Sequence, residues 1–101
     1  MTRELEKQAE RLKALGHPAR LGILRLVVQG DEGGTPAGEI QAALKIPAST
    51  LSHHLETLAS TGLLLAERQG TFILYRADYQ ELRKLTDYLW KDCCKGGKGC
   101  C

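Results

Sequence analysis

Apolar residues recur every three or four positions along the first half of the chain, which is the spacing of amphipathic helices. Charged residues surround the first apolar stripe, and Gly16 is predicted to end that helix. Pro18 suits the first turn of a second helix, because proline lacks an N–H that this turn would leave unpaired. The apolar positions are Leu5, Ala9, Leu12 and Leu15 in the first helix, and Leu21, Ile23, Leu24, Val27 and Val28 in the second.

Two further helices are predicted after a loop of glycine and acidic residues at 30–34. Thr35 and Pro36 are expected to open a short third helix, which a connection at 45–47 joins to a fourth. The fourth helix is predicted from Ala48 to Ser60, and Gly62 ends it. The apolar positions of these helices are Ile40, Ala43, Leu44, Leu51, Leu55 and Leu58.

The pattern then changes to two β-like stretches at 63–68 and 71–76, joined by a turn at Gln69 and Gly70 that suits a tight hairpin. Asp78 and Glu81 have the spacing of a capping box for a last helix, which is predicted to end at Asp92. Its apolar positions are Leu82, Leu85, Tyr88, Leu89 and Trp90. The predicted fold class is α+β, mainly α, with four helices, a hairpin, a C-terminal helix and a flexible tail.

Composition fits one small soluble domain. The chain has 101 residues, of which 43% are hydrophobic and 26% charged, and its formal charge is only +2. A nucleic-acid surface would therefore need local clustering of basic residues. No apolar run approaches the roughly 18 to 20 residues that span a bilayer, and the charged N-terminus does not resemble a signal peptide. We expect a cytoplasmic protein whose thiols are reduced, which favours thiolate ligands over disulfides.

The third and fourth predicted helices match a helix-turn-helix arrangement, in which the second helix reads the DNA major groove. Opposite its leucine stripe, the fourth helix carries small hydroxyls and an imidazole, which can contact base edges and phosphates. A polar face is also typical of any surface helix, and the order of elements is what favours DNA here. The predicted DNA contacts are Ser49, Thr50, Ser52 and His53 on this helix, and Arg68 and Arg76 on the hairpin as a wing.

The other two histidines are predicted to be structural. His54 lies at the edge of the leucine stripe, where we expect it to be packed and hydrogen-bonded. Adjacent helical residues diverge by about 100°, so His53 and His54 are poorly placed to chelate one ion. We interpret His17, just before Pro18, as part of the helix start.

Three segments resemble the ArsR/SmtB family of winged-helix repressors. Residues 15–24, LGHPARLGIL, look like the opening of that family's second helix, and residues 49–58, STLSHHLETL, resemble its recognition helix. Gly62, Leu63 and Leu64, followed by Arg68, Gly70 and Tyr75, are similar to its wing. The resemblance covers about residues 5–90 and implies a winged helix-turn-helix homodimer, formed through the first and last helices, that binds an inverted-repeat operator and releases it when metal binds.

Two metal sites familiar in this family are missing from the sequence. One begins the third helix with a Cys-x-Cys pair, but residues 35–40 contain no cysteine. The other uses Asp and His on the last helix, but residues 79–92 contain no histidine. Any sensing site would therefore have moved elsewhere in this chain.

All four cysteines lie in the last nine residues, as two adjacent pairs separated by a spacer of glycine and lysine. Such a tail has nothing to pack in a core, and clustered thiolates bind soft ions. A vicinal pair followed after five residues by a third cysteine resembles an arsenic-responsive branch of the family. That resemblance implies Cys93, Cys94 and Cys100 as ligands, with Cys101 as a fourth sulfur. Trivalent arsenic takes three thiolates, whereas four sulfurs leave a Cys₄ zinc site open.

The sequence is therefore interpreted as a DNA-binding and dimerisation domain at 1–92 and a metalloid-binding tail at 93–101. The predicted function is a repressor, not an enzyme, whose effector is arsenite or antimonite. A cadmium, lead or zinc sensor that uses all four sulfurs is the main alternative. A thiol enzyme is disfavoured, because no Cys-x-x-Cys on a βαβ unit is present, and a metallochaperone is a third alternative.

Overall fold

The computed structural model describes residues 1–95, which form five helices and three short strands. The elements are α1 (Arg3–Leu15), α2 (Pro18–Gln29), β1 (Thr35–Pro36), α3 (Ala37–Leu44), α4 (Ala48–Ser60), β2 (Leu64–Gln69), β3 (Phe72–Ala77) and α5 (Tyr79–Trp90). The predicted fold class, mainly helical with a hairpin wing, is confirmed. No helix in the described part of the chain is both long and apolar enough to span a membrane.

The start of the third helix was predicted wrongly. Thr35 and Pro36 form a strand that pairs antiparallel with β3, so the wing is the outer part of a three-stranded sheet with the order β1-β3-β2. Gly34 makes this pairing possible. Its φ is +106°, and a Cβ there would lie 2.9 Å from the Cβ of Leu74, so the chain can approach β3 this closely only at a glycine.

The hydrophobic core joins the helix-turn-helix to the sheet. Ile23 and Val27 of α2, Ile40 of α3 and Leu58 of α4 are almost fully buried, and Leu64 of β2 extends the cluster into the wing. Burying such side chains stabilises the fold by about 1.5 to 3 kcal/mol each. The two helices of the motif are thereby held as one body with the base of the hairpin.

The buried face of α1 is largely polar. Gln8, Arg11 and Ala14 face the core, whereas Leu5 and Leu12 remain 39% and 43% exposed. The sequence pattern identified an amphipathic helix with Arg11 among the charged residues around its apolar stripe. The interior instead contains a polar network around Arg11, which leaves the leucine stripe on the surface.

Helix α5 likewise leaves apolar side chains on the surface. Leu85 is buried, but Leu89 is 58% and Trp90 67% exposed. The helix ends at Trp90, two residues before the predicted end, and residues 91–95 form turns. Since α1 packs against α5, we name the exposed residues Leu5, Leu12, Leu89 and Trp90 the α1–α5 apolar surface.

Candidate nucleic-acid interface

The turn between α3 and α4 is set by one residue in the left-handed conformation. Lys45 has φ 56° and ψ 46°, and its N–H donates to the Gln41 carbonyl at 2.8 Å, which closes α3. Behind this turn, a Cβ on Gly22 would lie 3.3 Å from Leu44 Cδ2, so α3 sits close against α2. The connection is therefore short and fixed, as the helix-turn-helix motif requires.

Helix α4 presents its predicted contact residues to solvent. Leu51, Leu55 and Leu58 are at most 4% exposed and bury one face. Because side chains at other positions of the helix turn away from that face, the opposite side is free for a ligand. The exposed residues in its first half are Ser49, Thr50, Ser52 and His53.

The N-terminus of α4 carries partial positive charge that is not neutralised locally. In the described chain no side chain caps this helix at Pro47, and its first turn contains no acidic residue. The first N–H groups of a helix and its dipole favour anions. Next to the small hydroxyls of Ser49 and Thr50, this end suits a DNA phosphate.

The buried side of α4 is held in place by Arg20 of α2. The Arg20 Nε donates to the Ala14 carbonyl at 2.6 Å, and Nη1 lies 3.2 Å from the Nδ1 of His54, which is 6% exposed. Because arginine can only donate, Nδ1 of His54 must accept, and the ring proton is assigned to Nε2. The prediction that His54 is packed and hydrogen-bonded inside the motif is confirmed.

His17 completes this cluster as a helix cap. Its Nδ1 accepts the N–H of Ala19 at 3.1 Å, and its ring centroid lies 4.6 Å from that of His54. The structural interpretation of His17 is confirmed. Burial lowers the pKa of His54, and the nearby His17, Arg20 and His53 lower it further. A neutral His54 is therefore the form that fits the site.

The wing separates the two predicted arginine contacts. Arg68 pairs with Ile73 next to the turn, whereas Arg76 pairs with Leu65 near the base. Since side chains alternate along a strand, Arg68 lies on the face of buried Leu64 and Arg76 on the other face. There Arg76 Nη2 contacts Glu67 Oε1 at 2.9 Å. Of the two arginines, Arg68 is the one that lies near the tip of the wing and on the face that carries Leu64.

Arg11 is a buried residue that the sequence pattern assigned to the surface. It is 2% exposed, and its guanidinium donates to the Thr61 carbonyl through Nε at 2.9 Å and to Glu81 Oε1 through Nη2 at 2.7 Å. The Glu81 side chain also contacts Lys7 and Lys84. The hydrogen bond from Arg11, followed by that from Lys84, lowers the pKa of Glu81 to about 2.

The capping-box prediction at α5 is only half right, because the Glu81 side chain accepts from Arg11. Asp78 Oδ1 accepts the N–H of Glu81 at 3.2 Å, as predicted. The Glu81 side chain does not return to the N–H of Asp78, which instead donates to the Leu63 carbonyl at 2.9 Å. A sequence signal for the network does exist, since Gln8, Arg11 and Ala14 share one face at a spacing of three.

The first cysteine pair follows α5 directly. The N–H of Cys93 donates to the carbonyl of Trp90 at 2.9 Å, and both Cys93 and Cys94 are disulfide-bonded. The sequence had favoured reduced thiolates, and the structure differs from that expectation at these two residues. Cys100 and Cys101 lie outside the described residues. Residues 1–95 contain no group of three or more His, Cys, Asp or Glu side chains placed to hold a metal ion.

Comparisons with known proteins agree with this geometry. A family model described as a helix-turn-helix domain matches residues 15–67. An uncharacterised helix-turn-helix transcriptional regulator of Methanocaldococcus jannaschii is 39% identical over 87 residues, which cover 83% of this chain and 96% of that protein. The similarity therefore extends well beyond the motif, over nearly the whole of that relative.

Solved structures share the complete fold. The homodimeric winged helix-turn-helix domain of a possible ArsR-family regulator from Mycobacterium bovis has a TM-score of 0.68 and 32% identity, covering 91% of this chain and 85% of that one. A possible transcriptional regulator for arsenical resistance has a TM-score of 0.70 and 28% identity, covering 82% and 86%. With the exposed face of α4 and the adjacent wing, these matches show that the chain belongs to the ArsR/SmtB family of winged helix-turn-helix transcriptional regulators.

Proposed function

We propose that this regulator is a metalloid-responsive repressor, which binds an inverted-repeat operator as an apo homodimer and releases it on binding trivalent arsenic or antimony. The observation that carries the proposal is the position of the cysteine tail. Cys93 lies three residues beyond the end of α5, the helix that borders the α1–α5 apolar surface. An ion held by the tail would therefore act next to the proposed dimer interface.

Operator binding is assigned to α4 and the wing. The uncapped, dipole-positive start of α4 would lie on a phosphate, with Ser52 and His53 turned towards base edges. Arg68 near the tip of the wing would neutralise a flanking phosphate. Two such units, related by a twofold axis, would read half-sites about 34 to 36 Å apart.

Dimerisation is assigned to the α1–α5 apolar surface. Leu12 and Trp90 are 43% and 67% exposed, although large apolar side chains are stabilised by burial. A chain of about 100 residues buries a thin core, and dimerisation is a common remedy. The related domain from Mycobacterium bovis is itself homodimeric.

The chemistry of the tail supports a soft effector. Trivalent arsenic or antimony would be held by three thiolates, proposed as Cys93, Cys94 and Cys100. The related regulator for arsenical resistance is consistent with this choice of effector. The ligands are thiolates, so the tail would bind the ion in its reduced form. The alternative effectors are cadmium, lead and zinc, which would also use Cys101 in a four-sulfur site.

An operator titration tests the proposal. A duplex selected by the protein from a random library would be titrated under reducing conditions with and without arsenite. We expect arsenite to weaken binding about 5- to 150-fold, and X-ray absorption to give three sulfur neighbours. The control is a chain truncated after Asp92, which should bind DNA equally well and ignore arsenite. Release by cadmium or zinc, but not by arsenite, would favour the alternative, and an arsenite response of the truncated chain would refute the thiol mechanism.

A further inference from the structure

Arg11 links three helices that have different roles. It belongs to α1, it reaches the carbonyl of Thr61 at the C-terminus of α4, and it reaches both the side chain and the carbonyl of Glu81 in α5. Its Nη1 also lies 3.4 Å from Gln8 Oε1 on its own helix. Each of these groups is an acceptor, so the fork of the guanidinium is matched by oxygen atoms on several sides.

The surroundings fix the position of this guanidinium. The side chain is 2% exposed, and a Cβ on Gly62 would lie 3.1 Å from its Nη2. Gly62 itself has φ +81°, a conformation that favours glycine, at the point where the chain leaves α4. The Arg11 side chain therefore fills the space between the end of α4 and the first turn of α5 with little room for another arrangement.

We propose that Arg11 is a positioning residue that fixes the angle of the recognition helix α4 relative to the α1–α5 pair, and that transmits a change at the end of α5 to the DNA-reading surface. Packing against α1, α2 and the wing holds the body of α4, and the hydrogen bond from Arg11 to the Thr61 carbonyl joins its C-terminus to the contact between α1 and α5. A buried charge that loses one partner is strongly destabilised. A shift of α5 would therefore move the guanidinium, and with it the end of α4.

The second half of this inference rests on the proposed function, because it assumes an effector at the tail. Glu81 lies in the first turn of α5 and the cysteines follow its last turn, so the helix links the two sites as a rigid rod. Two recognition helices must match two half-sites, and a small rotation of each would be doubled across the dimer axis. The first half, the fixed angle of α4, needs no effector.

A distance measurement on the DNA-free protein tests the first half. Spin labels at Glu56→Cys on α4 and Asp87→Cys on α5, in a chain whose tail cysteines are Ser, report a distance between these helices that changes when α4 changes its angle. Labelled chains are diluted with unlabelled ones, so that distances within one chain dominate. We expect Arg11→Met to broaden the distance distribution or shift its maximum. Lys84→Met removes another positive charge that pairs with Glu81, without touching α4. It should therefore leave the distance distribution unchanged.

An operator titration in the chain with intact cysteines tests the second half. The ratio of operator affinities without and with arsenite should fall about 2- to 30-fold in Arg11→Met, and Lys84→Met should keep the ratio of the wild type. Glu81→Gln retains an oxygen acceptor for Arg11 Nη2. Its ratio of operator affinities should therefore be closer to that of the wild type than the ratio of Arg11→Met is. Should Arg11→Met fail to fold by circular dichroism, Arg11→Lys decides, because its single ammonium cannot bridge Thr61 and Glu81 as a fork does.

The outcomes separate the two proposals. An unchanged distance distribution in Arg11→Met overturns the positioning role. If the distance distribution changes but the ratio of operator affinities without and with arsenite does not, Arg11 keeps its positioning role. The proposal that it transmits a change from the end of α5 is then overturned. If the wild type ignores arsenite, the proposed effector fails and the transmission with it, whereas the distance measurement still decides whether Arg11 fixes α4.

Discussion

Single side chains on α4 should determine which operator is bound. Ser52 and His53 are exposed on the face opposite the leucine stripe. If each makes a good base contact, Ser52→Ala or His53→Ala should weaken operator binding by about 1 to 3 kcal/mol and leave binding to unrelated duplexes nearly unchanged. Fluorescence anisotropy with both duplexes measures this, with Thr86→Ala on α5 as a matched loss of an exposed hydroxyl. Equal affinities of His53→Ala and wild type for the operator would place base recognition on other residues.

His54 should make the stability of the fold depend on pH. Its pKa is lowered from 6.5 by burial and by His17, Arg20 and His53, so below that pH the unfolded chain takes up a proton more readily than the folded one. The free energy of unfolding should therefore decrease as the pH falls from about 6.5 through the folded pKa, when Nδ1 can no longer accept from Arg20. Urea unfolding at several pH values from about 8 to 5 measures the slope of the free energy of unfolding against pH. His54→Gln should flatten it, and an unchanged slope would contradict this assignment.

At the scale of elements, the two faces of the wing should act differently. Arg68 lies next to the turn, whereas Arg76 is already paired with Glu67 on the other face. Arg68→Ala should weaken binding to operator and unrelated DNA alike and reduce the salt slope by about one. Arg76→Ala, with the same loss of charge, should change the slope less. Affinities measured over a range of salt concentrations decide, and equal losses would mean that both arginines reach phosphates.

At the scale of the whole molecule, the α1–α5 apolar surface should hold two chains together. Leu12→Glu places a charge on that surface, where a dimer interface would bury it without a partner. We expect this variant to sediment as a folded monomer and to bind the operator at least tenfold more weakly, since one half-site is lost. Leu65→Glu is the control, because Leu65 is 44% exposed, like Leu12 at 43%, but lies on the wing. A Leu12→Glu variant that remains dimeric would exclude this part of the surface from the interface.

The sequence alone determined the elements with strong local signals. The bounds of α4 agree with the prediction at both ends, because a leucine stripe, Pro47 before the first turn and Gly62 after the last all act locally. The exposure of Ser52 and His53 follows from the helical period of the leucine stripe, and the hairpin follows from two β-like stretches on either side of Gly70. These features depend on neighbours within a few positions, which a sequence displays directly.

Only the tertiary structure decided which face of α1 is inside. The pattern of α1 placed Arg11 among the charged residues around its leucines, but the carbonyl of Thr61, 50 residues away, and the carboxylate of Glu81, 70 residues away, draw Arg11 inward. The pairing of Thr35 with Tyr75 is equally non-local. Such contacts join residues that are distant in the chain, and their gain depends on an arrangement that no local periodicity encodes. The sequence therefore determined what the elements are and which side of α4 is exposed, and long-range hydrogen bonding decided which face of α1 is buried.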